Sequence, residues 1–171
     1  LQEGTYTGKT VTVTDAAENA SSLTIPAFTI DTTAPVLSQV TAVETPANNI
    51  TPSYVFISGE AGTITSNLGF SPSMSAVVGY NTITFNALQE GTYTGKTVTV
   101  TDAAENASSL TIPAFTIDTT APVISQVTAV ETPANNITPS YVFISGEAGK
   151  ITSNLGFSSF LSVLLLLNIP P

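Results

Sequence analysis

The sequence predicts an all-β fold made of repeated antiparallel β-sandwich domains, one complete and two partial. Runs in which apolar and polar residues alternate, such as Thr97–Thr101, are typical of strands with one buried face. Turn-forming Gly, Pro and Asn residues separate these runs about every eight to twelve residues. Only 9% of the residues are charged, and Thr, Ser, Val and Ile are abundant, which favours strands over helices.

An internal repeat organises the chain. Leu88–Asp102 has the same letters as Leu1–Asp15, and at this offset of 87 residues the segment 1–71 matches 88–158 at all but two positions. The differences are Leu37 against Ile124 and Thr63 against Lys150. The repeat suits a seven-strand sandwich of about 100 residues and exceeds the about 20–50 residues of solenoid units. Each repeat is therefore expected to fold as a separate domain.

The recurring linker Asp31–Pro35 predicts where the repeats begin, because proline punctuates the strand pattern. Residues 1–30 then supply the last strands of one repeat, 31–117 form a complete repeat, and 118–158 begin a third. Residues 159–171 leave the repeat. This apolar tail is either an anchor or an artefactual terminus, and we favour the second interpretation. Its apolar run is too short to span a bilayer, and Leu1 is expected to lie inside a repeat.

Seven strands are predicted in the complete repeat, near 36–43, 53–58, 63–66, 75–78, 81–86, 92–101 and 108–117. The strand at 53–58 is expected to bury Tyr54 and Phe56. Leu88, Gly91 and Tyr93 precede or enter a later strand and resemble the tyrosine corner of immunoglobulin-like sandwiches, where the hydroxyl bonds to backbone upstream. These three residues are therefore candidate structural residues.

The complete repeat resembles the bacterial Ig-like repeats that occur in long tandem arrays of adhesin and biofilm proteins. The resemblance rests on four segments taken in order: TPSYVFISGEAGTIT, NTITF, LQEGTYTGKTVTVTDAAENAS and FTIDTTAP. It implies Ig-like β-sandwiches that act as a spacer or stalk in a secreted or surface-anchored bacterial protein, located at the cell surface. Glu105 stands where the family usually has glycine, and the cysteine pair of some relatives is missing.

Composition argues against several functions. The net charge is −9, with 12 carboxylates, 3 Lys or Arg residues and neither His nor Cys. An acidic chain of this kind is not expected to bind nucleic acid or anionic lipid, so no nucleic-acid partner and no membrane insertion by the repeat are predicted. Without His or Cys, and with no evident base for a Ser or Thr nucleophile, the chain is not expected to be an enzyme.

The few carboxylates are expected to gather at the poles of the sandwich, where neighbouring repeats meet. One predicted set comprises Asp31, Glu60, Asp102, Glu105 and Asn106. The other comprises Asp118, Glu147, Glu44 and Glu90. Ca²⁺ prefers oxygen ligands of this kind, so both junctions are candidate Ca²⁺ sites. The alternative is that these acids are simply solvated in polar turns.

The expected partners are neighbouring repeats of the same chain. An alternative function is that the repeats themselves bind glycans or associate with one another, for which exposed Val55 and Ile57 would be suited. A further hypothesis concerns the two partial repeats, which carry complementary strands. They are expected to lie too far apart to meet within one chain, but two copies could complete a domain head-to-tail.

Overall fold

The computed structural model describes residues 1–71 and 75–155, and all regular structure in these ranges is β-strand. The strands are β1 (Gly4–Tyr6), β2 (Lys9–Thr14), β3 (Ala20–Ile25), β4 (Phe28–Ile30), β5 (Leu37–Thr41), β6 (Ser53–Ser58), β7 (Gly62–Ser66), β8 (Phe70–Ser71), β9 (Ser75–Ala76), β10 (Gly79–Phe85), β11 (Gly91–Tyr93), β12 (Lys96–Thr101), β13 (Ala107–Ile112), β14 (Phe115–Ile117), β15 (Ile124–Thr128) and β16 (Val142–Ser145). The predicted all-β class is confirmed. Among the described residues, no helix has the length and apolarity needed to cross a bilayer.

The chain divides into two compact units, Leu1–Thr119 and a second that starts at Thr120. The first holds β1 to β14, and the second holds β15 and β16. The apolar tail predicted at 159–171 lies outside the described residues, as do residues 72–74. The predicted repeat boundaries stay a prediction, and we keep the names first partial repeat (1–30), complete repeat (31–117) and last partial repeat (from residue 118).

Two four-stranded antiparallel sheets make up most of the complete repeat. One has the order β5-β6-β10-β8 and the other β13-β12-β7-β9. Tyr54 and Phe56 of the first sheet and Val98 and Val100 of the second are fully buried and belong to one apolar cluster. All the buried residues of this cluster lie between Val43 and Ile117. The two sheets therefore enclose one common core.

The core face of β6 is as predicted, but its other face differs from expectation. Val55 and Ile57 were expected to be exposed, and they are half-buried. The reason is that β6 is an inner strand of its sheet. β10 places Thr82 opposite Val55 and Tyr80 opposite Ile57, so cross-strand neighbours cover part of each side chain.

The long strand predicted at 92–101 is two strands. β11 pairs with β14, and β12 pairs with β13 and β7. Gly95 lies between β11 and β12 with a φ of 62°, a left-handed conformation that interrupts an extended strand and that glycine adopts at little cost. The predicted strand at 108–117 is likewise divided, into β13 and β14, with Pro113 in the gap.

The Tyr93 hydroxyl makes the hydrogen bond that the sequence pattern predicts. It donates to the carbonyl of Gln89 at 2.8 Å, and its ring stacks on that of Phe115 at a centroid distance of 5.1 Å. Tyr6 repeats both contacts, with Gln2 and Phe28. Gly91 has a φ of 142°, outside the range that other residues favour. This local structure thus forms in the first partial repeat as well as in the complete one.

The partial repeats leave exposed the residues that the complete repeat buries. Val13 is 71% exposed, whereas its equivalent Val100 is 0% exposed. Tyr141 is 54% exposed, whereas its equivalent Tyr54 is 0% exposed. Local pairing is nevertheless retained, since β2 pairs with β3 and β15 pairs with β16 in the registers of their equivalents. Strand pairing is therefore local to each hairpin, while burial requires the opposite sheet.

Gly62 allows β7 to approach β12. A Cβ at this position would lie 2.3 Å from the Thr101 carbonyl oxygen and 2.8 Å from its carbon. Those are backbone atoms of the neighbouring strand, so they cannot rotate away. Gly59, in the same turn, would place its Cβ in ordinary contact, 3.6 Å from Val36. The absence of a side chain is thus required at Gly62 and not at Gly59.

We expect Gly62→Ala to lower the free energy of unfolding by about 2 kcal/mol, because the added methyl forces β7 away from β12. Gly59→Ala serves as the matched control and should change stability by less than about 0.5 kcal/mol. Urea unfolding followed by circular dichroism measures both. Equal effects of the two substitutions would contradict this explanation of the close approach.

Candidate metal centre

Three carboxylates converge where the first partial repeat meets the complete repeat. One ligand oxygen from each of Asp31, Glu60 and Asp102 lies within 4.8 Å of the others, and all three residues are half-buried. Asp31 follows β4, Glu60 lies in the turn between β6 and β7, and Asp102 follows β12. The group therefore combines the linker with the turn that joins the two sheets and a loop of the second sheet. We call these three residues the acidic triad.

The loop after β12 holds Asp102 in a fixed orientation. Asp102 Oδ1 accepts hydrogen bonds from the amides of Ala104 at 2.8 Å and Asn106 at 2.9 Å. Its Oδ2 accepts from Asn106 Nδ2 at 3.0 Å. These donors stabilise the ionised form and lower the pKa of Asp102, the Asn106 side chain having the largest effect. Asp102 is therefore a carboxylate at neutral pH.

Asn106 joins this loop to the linker. Its Nδ2 donates to the Asp31 carbonyl at 3.1 Å as well as to Asp102. The Asn106 side chain thus bridges two triad members, and its predicted role as a metal ligand stays a prediction. Glu105, also predicted, is exposed and is not part of the triad.

Glu105 has a left-handed backbone, with a φ of 67°, and its equivalent Glu18 has a φ of 69°. Glycine adopts this conformation freely, whereas other residues adopt it uncommonly. Glutamate retains the turn in both repeats. The Glu105 amide donates to the Asp102 carbonyl at 3.4 Å, and the Asp102 amide donates to the Asn106 carbonyl at 3.0 Å. These backbone hydrogen bonds stabilise the loop in which Glu105 has its unfavourable left-handed conformation.

The turn that carries Glu60 is built on a buried serine. Ser58 is 0% exposed, and its Oγ donates to the Glu60 carbonyl at 2.6 Å. The Glu60 side chain is close to negative charges. Its pKa is raised above the ordinary value of 4.5, first by desolvation and then by repulsion from Asp31, Asp102 and Glu3. The acidic triad thus contains one carboxyl whose ionisation the surroundings oppose.

Glu3 is a carboxylate near the acidic triad that was absent from the predicted set. Its carboxylate accepts hydrogen bonds from the hydroxyls of Thr32 and Thr33, each at 2.9 Å. These bonds lower the pKa of Glu3, the Thr32 hydroxyl having the largest effect. The signal was available, because Glu3 is the repeat equivalent of Glu90, which the sequence does place at a junction. Glu90 accepts from the Thr119 hydroxyl at 2.8 Å, so both linkers begin with the same contact.

The second predicted set is Glu44, Glu90, Asp118 and Glu147. The first three belong to the first compact unit, and Glu147 belongs to the second. Glu44 is exposed, and Glu90 bonds to Thr119 as described above. Their joint action as a metal site stays a prediction.

No protein-family model matches the chain, and no curated protein matches it. The interpretation of the acidic triad therefore rests on its own geometry. Three carboxylates within reach of one another could hold a metal ion, and an all-oxygen donor set suits a hard cation such as Ca²⁺ or Mg²⁺.

We expect Glu60→Gln to stabilise the metal-free protein at neutral pH. Folding raises the pKa of Glu60 above 4.5, so the folded state retains this proton to higher pH than the unfolded chain, and stability falls as pH rises through the raised pKa. Glutamine stays uncharged, so the substituted protein does not lose this stability as the pH rises. In EDTA, the melting temperature of Glu60→Gln should exceed that of the parent at pH 7, and the difference should vanish below pH 4.5.

Glu44→Gln is the control for this prediction, because it removes one negative charge from an exposed position in the same repeat. It should leave the melting temperature nearly unchanged across the pH range. A Glu60→Gln protein that melts at or below the parent at pH 7 would show that repulsion within the acidic triad is not destabilising.

Proposed function

We propose that the complete repeat is a structural spacer in a tandem array of Ig-like domains on a secreted or surface-anchored bacterial adhesin or biofilm protein. The observation that carries the proposal is the linker contact. Glu3 binds Thr32 at the start of one linker, and Glu90 binds Thr119 at the start of the next, with hydroxyl-to-carboxylate distances of 2.9 and 2.8 Å. A linker held by hydrogen bonds at its start restricts how adjacent domains move.

The near-identity of the repeats supports a role in setting the length of the array. Across the aligned segments only two positions differ, so these parts of the repeats present nearly the same surface. Pro35, in the first linker, is fully buried, and its ring fixes the backbone torsion φ.

The order of the strands supports the Ig-like part of the proposal. One sheet has the order β5-β6-β10-β8 and the other β13-β12-β7-β9, and Ig-like sandwiches divide their strands between two sheets in a comparable order. Localisation at the bacterial cell surface follows from the family resemblance alone.

The acidic triad would serve this role by binding Ca²⁺ between domains. Asp31 belongs to the linker, whereas Glu60 and Asp102 belong to loops of the complete repeat. A cation held by all three would tie the linker to the domain and relieve the repulsion that raises the pKa of Glu60. Backbone carbonyls and water would complete the six to eight oxygen ligands that Ca²⁺ takes.

We expect millimolar Ca²⁺ to raise the melting temperature of the parent protein by several degrees, because an ion that binds only the folded state stabilises it. Asp102→Asn should abolish most of this shift. Asp15→Asn is a matched control, because Asp15 makes the same loop hydrogen bonds with Ala17 and Asn19 and is not a triad member.

Both substitutions weaken one loop, so both lower the melting temperature in EDTA. Only Asp102→Asn should also lose the response to Ca²⁺. Absence of any shift in the parent at millimolar Ca²⁺ would remove the metal from the proposal and leave the spacer role to be tested separately.

Chains that contain one, two and four extra copies of 31–117 test the spacer role. The maximum dimension from small-angle X-ray scattering should increase by equal increments, as expected of domains joined by restricted linkers. Replacing each Asp31–Pro35 segment by Gly and Ser provides the control, because flexible linkers give a dimension that grows roughly as the square root of length. Identical scattering from both series would contradict the spacer role.

A second candidate function is that the repeat binds glycans or other copies through its surface. Tyr80 is 70% exposed next to Val78, which is 69% exposed, and Tyr80 lies opposite half-buried Ile57. An exposed aromatic ring beside apolar side chains is suited to binding. Cell aggregation by the purified chain that Tyr80→Ser abolishes would favour this candidate over a passive spacer. Neither candidate involves catalysis, for which the chain lacks His and Cys.

A further inference from the structure

The outer face of the first sheet of the complete repeat carries an apolar patch. Side chains alternate between the two faces of a strand, so Val55 and Ile57 of β6 point away from the core that their neighbours enter. Tyr80 lies opposite Ile57 and is 70% exposed. Val36 is 73% exposed, and the nearby Gly59 has no side chain that could cover it. We call Val36, Val55, Ile57 and Tyr80 the outer patch.

The outer face of the second sheet has a different composition. Its central row consists of Thr65, Thr99 and Ser109, which lie opposite one another on β7, β12 and β13. The other outward residues of these three strands are also Thr, Ser or Ala. A sheet face of small and hydroxyl-bearing side chains suits contact with water. Apolar side chains that are exposed and contiguous, as in the outer patch, instead mark an interaction surface.

Charge identifies the molecule that fits this surface. All twelve Asp and Glu residues lie in loops, turns or linkers, outside the strands. The strands β5, β6 and β10, which carry the outer patch or border it, contain no charged residue. Two copies of a chain with a net charge of −9 repel each other, and this repulsion is smallest where neither copy presents a carboxylate. The outer patch can therefore meet the same patch of a second copy without burying a charge.

We propose that the outer patch is a contact between copies of this chain, in which the first sheets of two complete repeats pack face to face. A two-fold arrangement uses the same residues on both copies. Sheets pack in this way about 10 Å apart, with their strands nearly aligned. The proposal rests on the second candidate function, binding through the surface of the repeat, and it assigns that binding to other copies rather than to glycans.

The size of the contact determines how it acts. Three strands about 4.8 Å apart, with about six residues each at about 3.4 Å per residue, form a face of about 300 Å². A specific interface of standard size buries about 800 Å² per partner, so one pair of repeats binds weakly. Each further repeat of an array adds another contact of the same kind, and linked contacts raise the apparent affinity about 100-fold or more. The contact therefore acts between arrays that lie side by side, or between densely coated surfaces.

Beads that are densely coated with the full chain supply many contacts at once. We expect parent-coated beads to aggregate at physiological ionic strength, whereas uncoated beads of a second colour should stay outside the aggregates. Light microscopy in two colours measures both. Parent-coated beads that stay dispersed at high coating density would overturn the proposal. Uncoated beads that enter the aggregates equally would overturn it as well, because the binding would then not be between copies.

Charged substitutions at Thr82 test whether the same face is used on both copies. Thr82 is exposed and lies opposite Val55, next to the outer patch. Beads that carry Thr82→Lys alone or Thr82→Glu alone should aggregate at least about tenfold more slowly than parent beads, because like charges then face each other. A mixture of the two bead types should aggregate again, since Lys on one copy meets Glu on the other. Thr82 variants that aggregate like the parent, or a mixture that stays dispersed, would contradict the contact.

Thr65→Lys and Thr65→Glu are the matched controls. Thr65 is an exposed threonine on the outer face of the second sheet, and β7, like β10, is an inner strand of its sheet. These variants therefore change the net charge by the same amounts on the other face. They should aggregate like the parent, alone and mixed, and the melting temperatures of all four variants should stay close to that of the parent. Equal loss of aggregation by the Thr65 and Thr82 variants would show a general effect of charge and overturn the proposal.

These outcomes are separate from those that test the spacer role and the Ca²⁺ site, because the outer patch contains no residue of the acidic triad. Equal increments in the scattering experiment combined with dispersed parent beads would retain the spacer role and overturn this inference. Parent beads that bind only to glycan-coated beads, and lose this binding with Tyr80→Ser, would retain the second candidate function in its glycan form and also overturn the contact between copies.

Discussion

The antiparallel pairing of β7 with β12 is the contact on which the rest of the structure depends. It places Ile64 opposite Val100, and both side chains are almost fully buried. It is possible because Gly62 has no side chain where the strands come closest. The same pairing brings the Glu60 turn, just before β7, towards Asp102, just after β12. The sandwich and the acidic triad therefore share one structural cause.

The chain contains an internal comparison of what this contact contributes. Val11 and Val13 in β2 have the same sequence surroundings as Val98 and Val100 in β12, and their backbone pairs with β3 in the same register. The valines of β12 are fully buried and those of β2 are exposed. Local sequence thus suffices for the hairpin, because its pairing and turn involve near neighbours. Burial depends on strands that lie elsewhere in the repeat.

Two carboxyl groups of the acidic triad have pKa values that are shifted in opposite directions. Hydrogen bonds from the Asn106 side chain and from backbone amides lower the pKa of Asp102, whereas desolvation and neighbouring carboxylates raise the pKa of Glu60. The first carboxylate stabilises its loop as an anion. Glu60, in contrast, ionises against desolvation and against repulsion from the neighbouring carboxylates. A site that combines both has a reason to take up a cation, and that reason is independent of any family resemblance.

The sequence by itself determined the all-β class, the repeat and much of the strand pattern, because alternation and turn residues act over a few neighbours. It also identified Tyr54 and Phe56 as core, and Asp31, Glu60 and Asp102 as acids of one junction. It missed Glu3, expected one strand where Gly95 separates two, and expected exposure at Val55 and Ile57. Only the tertiary structure decided those points, and it also decided that three of the four predicted acids converge. Each depends on which strands and loops lie side by side, and residues far apart in the chain set that arrangement.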